Sequence, residues 1–478
     1  METPLSAASV IAIDTLREQS PKAFELASRF QAAGFQLALV GGPVRDVLLG
    51  RLGNDLDFTT DARPPHIKKI LKSYADEVWD VGIRFGTIAA KKDESTIEIT
   101  TYRSETYVSD SRNPEVNFGD SIEGDLKRRD FTVNSMAIEL TTDTPLFIDP
   151  FNGVTDLLKK VLVTPGKATD SFNDDPLRML RAARFASQLS FTIDPSVIEA
   201  MTELAPRLSI ISAERIRDEF TKILLSPNPR VGITTLVNTG LCEQFLPEIP
   251  RLRLEIDEHH HHKDVYEHTL TVVEQSMALE ERVGGPNLVL RLAALMHDVG
   301  KPKTRALIAG GGVSFHHHEV VGSRMTRERL KKLRFDHDVI DAVSSLVFLH
   351  LRFHGYGGGE WTDAAVRRYV RDAGELLSLL HVLTRADCTT RNKRKAEALA
   401  ENYNHLETRI EALMAQEELL AIRPDIDGHE IMSLLNIPAG PIVGKAYNFL
   451  LELRIEEGPL GKDRAKEELL KWWSDNQS

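Results

Sequence analysis

Cysteine is nearly absent from this 478-residue chain: Cys242 and Cys388 stand alone and far apart. Neither belongs to a CxxC pair, which argues against a zinc ribbon and suits a reducing compartment. Long hydrophobic runs are missing too, since none approaches the roughly 20 apolar residues of a membrane-spanning helix. The opening METPLSAASVIAIDTLREQS has neither a basic region nor a long apolar core. A cytoplasmic location is therefore expected. The chain also lacks an excess of positive charge: 59 Lys and Arg against 71 Asp and Glu give a net charge of -12 and a pI near 5.8. Contact with nucleic acid must then come from local clusters, such as Lys127-Arg128-Arg129, Arg178 with Arg181 and Arg184, and Arg391 to Lys395. Two common nucleotide signatures, GxxxxGK[ST] and GxGxxG, do not occur. What remains is the ordinary composition of a globular protein, long enough for about two to four domains.

The chemistry concentrates first in Leu37 to Thr60, LALVGGPVRDVLLGRLGNDLDFTT. A short apolar run ends at Gly41-Gly42, and Pro43 suits the first position of a helix, so a buried strand should feed a tight turn and a helix start. Free backbone N–H groups at such a start favour an anion, and Arg45 adds a fixed positive charge. In Asp55-Leu56-Asp57, residues two apart on a strand share a face, so both carboxylates point one way. Such a pair repels unless a divalent cation lies between, and Mg²⁺ is the usual ion for carboxylates working beside phosphates. Each part alone is most simply a turn or a solvated strand end; their order and spacing make the whole specific.

Further along, His66 to Tyr74 reads as a helix, and Val78 to Trp79, Thr87 to Lys91 and Thr96 to Tyr102 as strands, predicting a small sheet of about four or five strands with helices on one side. Glu98 alternates with Ile97 and Ile99 and faces away from them. Ser104 to Gly124 is rich in loop formers and reads as a mobile loop able to close over substrate. DLKRRDFTVNSMAIEL, from Asp125, begins like a helix, and DPFNGVTDLLKK, from Asp149, includes a strand-ending turn assigned to a hinge. In DDPLRMLRAARFA, Asp174 to Ala186, one helix would carry Asp175, Arg178 and Arg181 along one side, facing an acceptor and a donor toward the same base edge. In ISAERIRDEFTKILLSPNP, Ile211, Ile216, Phe220, Ile223 and Leu224 fit one buried face, and the charged residues between them a solvated one.

From His259 the composition changes. The run His259 to His262 reads as a linker, and His268, His297-Asp298, His318, His350 and Asp387 stand out as candidate ligands. Imidazole and carboxylate together suit Mn²⁺, Fe²⁺, Ni²⁺ or Zn²⁺ better than Mg²⁺ alone. A polar core that merely supports RNA is the plainer alternative. The last 86 residues, 393–478, include a long charged helix and a Gly440-Pro441 turn before another helix.

LVGGPVRDVLLG followed by DLDFTT resembles the head of the class II tRNA nucleotidyltransferases and bacterial poly(A) polymerases, and LAALMHDVGKPKT resembles the HD phosphohydrolase superfamily. The resemblance covers nearly the whole chain. It implies an α+β fold: a mixed-sheet nucleotidyltransferase head (1–160), an all-α neck (161–258), an all-α HD domain (259–392) and a helical tail (393–478). It implies Mg²⁺ held by Asp55 and Asp57, with Glu98 as a third carboxylate. Arg128, Arg129, Asp130 and Asn134 would contact the triphosphate and sugar alongside Gly41, Gly42 and Arg45. Asp175 and Arg178 would form Watson–Crick-like bonds to CTP or ATP, while Arg181 and Arg184 would reach phosphates. Asp174 stands where the family usually has Glu. In the second site Lys301 would lie near a phosphate. The function implied is CCA addition to tRNA. Polyadenylation, a metal-dependent phosphohydrolase with a vestigial head, and a non-catalytic tRNA scaffold are the rivals. Oligomeric state is not legible in the sequence.

Overall fold

A computed structural model describes residues 4–82, 86–106, 115–118, 121–253, 264–307, 313–353, 361–388, 393–417 and 422–476. The expected histidine linker lies outside the described residues, as do residues 107–114 and 119–120 of the expected mobile loop; the rest of that loop is not irregular, since Arg103–Thr106 and Glu115–Phe118 pair as antiparallel strands and Ile122 opens a helix. The chain divides into two compact units, Met1–Phe245 and Leu246–Ser478. Among the described residues, no helix is long and apolar enough to cross a membrane.

The first unit opens with helices α1 (Pro4–Gln19) and α2 (Pro21–Ala32), then strand β1 (Ala38–Val40), helix α3 (Gly42–Leu48), β2 (Asp55–Thr60) and α4 (Pro64–Leu71). Strands β3 (Glu77–Gly82), β4 (Thr87–Lys92) and β5 (Ser95–Thr101) follow, then a separate ribbon of β6 (Arg103–Thr106) and β7 (Glu115–Phe118). After α5 (Ile122–Lys127) come β8 (Ala137–Glu139), β9 (Leu146–Ile148) and α6 (Gly153–Lys159). The sheet is mixed and has seven strands in the order β3-β4-β5-β2-β1-β8-β9, with β2 and β5 parallel and the other pairs antiparallel. The expectation of four or five strands is thus too low. The additional β8 and β9 are three residues each, too short to show a period, and the first lies inside a motif that begins as a helix.

Alternation along the central strands decides which face does what. Leu56, Phe58, Ile97 and Ile99 enter one core together with Leu26, Phe30, Val44, Val47, Ile67 and Leu71 from α2, α3 and α4. Asp55, Asp57 and Glu98 occupy the intervening positions and therefore turn to the opposite face. Burying this apolar face gains about 25 cal/mol per Å². A register slip of one residue would drive the three carboxylates into that core, so the packing that holds the head together also fixes its acids.

The rest of the unit is mainly helical, with α7 (Ala168–Asp174), α8 (Leu177–Leu189), α9 (Pro195–Leu204), α10 (Ala213–Leu224), α11 (Pro229–Asn238) and α12 (Leu241–Phe245), but the expected all-α neck also holds a short parallel pair, β10 (Val161–Leu162) and β11 (Thr192–Ile193). Helix α8 packs against α10 and α11. The predicted apolar face of α10 forms, with Ile216, Phe220, Ile223 and Leu224 buried, although Ile211 is only half-buried. Its charged residues are not all solvated, because Glu219 is 5% exposed.

The second unit is almost wholly helical: α13 (Val265–Ala278), α14 (Leu288–Met296), α15 (Lys301–Thr304), α16 (His318–Lys332), α17 (His337–Leu349), α18 (Asp363–Ala373) and α19 (Leu377–Asp387). Helix α14 packs on α13, α17 and α19, and α16 on α17. A Cβ at Gly300 would lie 2.1 Å from the His318 carbonyl oxygen and 2.8 Å from the Gly322 nitrogen. The glycine after His297-Asp298 therefore lets the start of α16 approach the end of α14, which brings His318 to the other imidazoles. Helix α20 (Lys393–Glu417) precedes α21 (Gly428–Leu435), α22 (Pro441–Glu457) and α23 (Lys462–Asp475), which close over their own core of Ile431, Leu450, Ala465 and Leu469.

One buried acid ties the strand-bearing part of the first unit to its helices. Asp130 accepts from the Asn134 amide at 3.0 Å, the Phe131 backbone N–H at 2.8 Å and Arg181 Nε at 2.7 Å. Burial alone would raise its proton affinity, but Arg181 and Asn134, with Arg178 nearby, outweigh it and hold the carboxyl at about 2. A folded value below the ordinary one contributes stability that is complete above about pH 4 and is lost as pH falls through about 2, worth about 2 kcal/mol for this shift. Asp130→Asn should therefore lower the stability of this unit at neutral pH by about that amount. In denaturant titrations the gap from wild type should narrow from pH 4 toward pH 2; a constant gap would mean that the charge is not its source.

Candidate active site and metal centre

A cavity of about 680 Å³ opens on the acidic face of the sheet. Asp57 and Glu98 line it and are register partners on the parallel strands β2 and β5. Asp55 lies on their face but at the exposed start of β2 and is not part of the lining. Burial raises the proton affinity of Asp57, and Asp55 adds to it while Arg129 and Arg181 oppose. Burial likewise raises Glu98, helped by Asp57 and Asp55. Half-buried acids raised by burial and by a neighbouring carboxylate are a donor set that a divalent cation would relieve.

The glycine turn forms the next wall. Gly41 has φ 75° and caps α3, and a Cβ there would meet Arg129 Nη1 at 2.6 Å. Only glycine gives both the backbone conformation and the space for that guanidinium. Gly42, Arg45, Arg128, Arg129, Asp130 and Asn134 also line the cavity. Arg45 donates to Asn134 Oδ1 at 2.7 Å and pairs with Asp46 at 2.9 Å. Arg128 and Arg129 both grip the fully buried Asp125, at 2.9 and 3.2 Å, so they are anchored groups and not free surface charges.

Asp175, Arg178, Arg181 and Arg184 complete the lining, but not along one helix as the spacing predicts. Pro176 separates α7 from α8, and Asp175 before it is extended, with φ -138° and ψ 99°. The residue before proline is driven from the helical region. Asp175 pairs with Arg215 at 3.2 Å, and Arg178 donates to Ser171 Oγ at 2.9 Å and to the Arg128 carbonyl at 2.5 Å. Both side chains still reach the same cavity, from a kinked junction in place of a continuous helix. Asp174 is not among the lining residues.

Phe185 is a residue that sequence reasoning missed. Its ring has three guanidiniums around it, Arg184 at 4.3 Å, Arg181 at 5.3 Å and Arg45 at 5.4 Å from the centroid. Gln188, Arg215 and Lys222 were missed as well. The i, i+4, i+7 spacing of Arg215, Glu219 and Lys222 is the signal that one polar stripe of α10 faces inward. Eight cations (Arg45, Arg128, Arg129, Arg178, Arg181, Arg184, Arg215 and Lys222) meet four acids (Asp57, Glu98, Asp130 and Asp175) on the cavity wall. A chain of net charge -12 thus concentrates positive charge where a polyphosphate would fit.

In the second unit all six predicted ligands come together. His268 is on α13, His297 and Asp298 directly follow α14, His318 begins α16, His350 follows α17 and Asp387 ends α19. Among the described residues, two groups of three bring ligand atoms within 4.8 Å of one another: His268, His297 and Asp387, and Asp298, His318 and His350. Nδ1 of His297, His318 and His350 lies 2.8, 2.8 and 2.6 Å from the carbonyl oxygens of Ala294, Phe315 and Val347. A carbonyl only accepts, so each Nδ1 carries the proton and each Nε2 is turned to the cluster. Nε2 of His350 is buried without a hydrogen-bond partner, and that of His318 lies 3.3 Å from Asp298 Oδ1. Burial would lower His297, but Asp298 and Asp387 raise it to about 9; burial and His297 push His350 down to about 3. Buried lone pairs aimed inward, with tautomers set by backbone, fit a cation of the transition series. Lys301 Nζ donates to Asp298 at 2.6 Å, so it is engaged by a candidate ligand itself.

Comparison with known proteins agrees with this layout. Residues 37–163 match the poly A polymerase head domain, 190–252 a probable RNA and SrmB-binding site of polymerase A, and 265–392 the HD domain. A CCA-adding enzyme of Streptococcus gordonii is 38% identical over 247 residues, 52% of this chain and 60% of the relative. One from Lactobacillus johnsonii is 40% identical over 242 residues, 50% of this chain and 58% of the relative. The chain thus spans about 60% of the length of these relatives. Among solved structures, the Bacillus stearothermophilus CCA-adding enzyme in complex with CTP aligns over 100% of this chain and 99% of its own, with a TM-score of 0.66 at 22% identity. The Thermotoga maritima CCA-adding enzyme complexed with tRNA aligns over 95% of both, with a TM-score of 0.59 at 21% identity, so these likenesses concern the fold. A poly A polymerase head domain, a probable RNA-binding segment and an HD domain are thus matched in that order along the chain.

Proposed function

We propose that the chain adds CCA to tRNA 3′ ends from CTP and ATP. The observation that carries this reading is the cavity itself, whose lining brings together Asp57, Glu98, eight cationic side chains that include Arg178, and Asp175. In the reaction the RNA 3′-oxygen bonds to the α-phosphorus, the bond to the β-phosphate breaks and pyrophosphate leaves. Asp55 and Asp57, with Glu98, would hold Mg²⁺, which supplies charge neutralisation and lowers the pKa of the attacking hydroxyl. Arg45, Arg129, Arg181 and Arg184, all on the cavity wall, would bind the triphosphate beside the Gly41 turn. Asp175 as acceptor and Arg178 as donor would read the base edge. The CTP, ATP and tRNA complexes of structural neighbours support these partners, and the CCA-adding relatives weigh against polyadenylation.

In the second unit the six-residue cluster would hold Mn²⁺, Ni²⁺, Fe²⁺ or Zn²⁺ and support hydrolysis of a phosphoester. The buried Nε2 of His350, which has no hydrogen-bond partner, favours this over a polar core, which would pair it.

Incubation with a tRNA lacking CCA, with CTP and ATP supplied separately and together, should give products two and three nucleotides longer in the expected order; a long A tail would establish polyadenylation instead. Asp55→Ala with Asp57→Ala should abolish incorporation, and activity retained by the double variant would refute the assignment. Arg178→Ala should degrade the choice between CTP, ATP and the other nucleotides more than tRNA affinity, whereas equal loss for all four nucleotides would count against base reading. For the second site, equilibrium dialysis should show Ni²⁺ or Mn²⁺ bound, with His297→Ala weakening it about tenfold or more. Ring opening of a cyclic phosphodiester to its phosphomonoester should disappear in the same variant.

A further inference from the structure

Glu219 sits behind the cavity wall on α10, away from the strands that carry the acids. Its side chain is buried, its Oε1 accepts from Arg184 Nη1 at 2.9 Å and lies 3.9 Å from Arg181 Nη1, and its Oε2 has no hydrogen-bond partner. The three guanidiniums around Phe185 therefore each have a carboxylate: Asp46 for Arg45, Asp130 for Arg181 and Glu219 for Arg184. Arg45 and Arg181 are matched by residues close to the head motifs, whereas Arg184 depends on a helix some 35 residues further on. Three like charges gathered over one ring repel, and a buried guanidinium left without its acid either turns away or is expelled.

We propose that Glu219 is a positioning residue for the nucleotide: it holds the Arg184 guanidinium, and with it Arg181, in the orientation that receives the triphosphate. This rests on the proposed nucleotidyl transfer. Glu219 itself touches no substrate. Its action runs through Arg184, so its loss should appear in nucleotide binding and not in RNA binding.

Glu219→Gln is the informative change. The amide oxygen keeps the bond to Arg184 while the charge is removed, and the amide nitrogen takes the place of Oε2, which has no hydrogen-bond partner. The expected result is a rise of about tenfold in KM for both CTP and ATP, with kcat within about threefold and tRNA affinity unchanged. CTP binding by equilibrium dialysis without RNA should weaken by the same factor. Unchanged KM and CTP affinity with a fall in kcat alone, as from a smaller folded fraction, would overturn the proposal. Arg184→Gln combined with Glu219→Gln removes both charges and covers the case in which the single variant fails to fold. If Glu219 acts through Arg184, the double variant matches Arg184→Gln alone in CTP affinity; losses that multiply would overturn the proposal. Should the wild type incorporate neither nucleotide into tRNA while still binding CTP, the reading of the reaction would fail separately from that of Glu219.

Discussion

The first unit is governed by the need to keep like charges close together without letting either sign escape. Burial and a nearby carboxylate raise the proton affinity of two acids on neighbouring strands, while three guanidiniums crowd one phenylalanine a short distance away. Neither group is stable by itself. The acids are pinned because their strand neighbours are core residues, so turning them away would cost the packing of Leu56, Phe58, Ile97 and Ile99. The guanidiniums are pinned by individual carboxylates and by the Asn134 bridge between Arg45 and Asp130. Fixing charges during folding means that little reorganisation is left for the moment of reaction.

Much of this was legible in the sequence because it follows a short period. Gly41-Gly42-Pro43 announced a turn and a helix start, and the two-residue spacing of Asp55 and Asp57 announced a shared face; both occur. The parallel pairing that sets Glu98 opposite Asp57 needed the sheet order, which no local pattern carries. Asp175 shows where a local pattern misleads. Its spacing to Arg178 and Arg181 suited one helix, but Pro176 breaks that helix, and the shared cavity arises from tertiary placement. Glu219 was read as solvated because charged residues mostly are, and its burial depends on α8 bringing Arg184 beside it.

The second unit shows a different route from sequence to site, in which helix ends do the positioning. His297 and His350 each occupy the residue immediately after a helix, and each Nδ1 meets the carbonyl three residues earlier. Carbonyls in a last turn lack an intrahelical partner, so they are available as acceptors. The same termination that ends the helix therefore sets the tautomer and aims Nε2 inward. Asp387 closes the set from the end of α19, and the bare Gly300 backbone lets His318 join from the start of α16. Four helix termini converge on one point, and convergence of this kind leaves only an ordered series of His and Asp residues in the sequence. The order was readable; the division into two triads was not, because it depends on which helix ends face each other across the bundle.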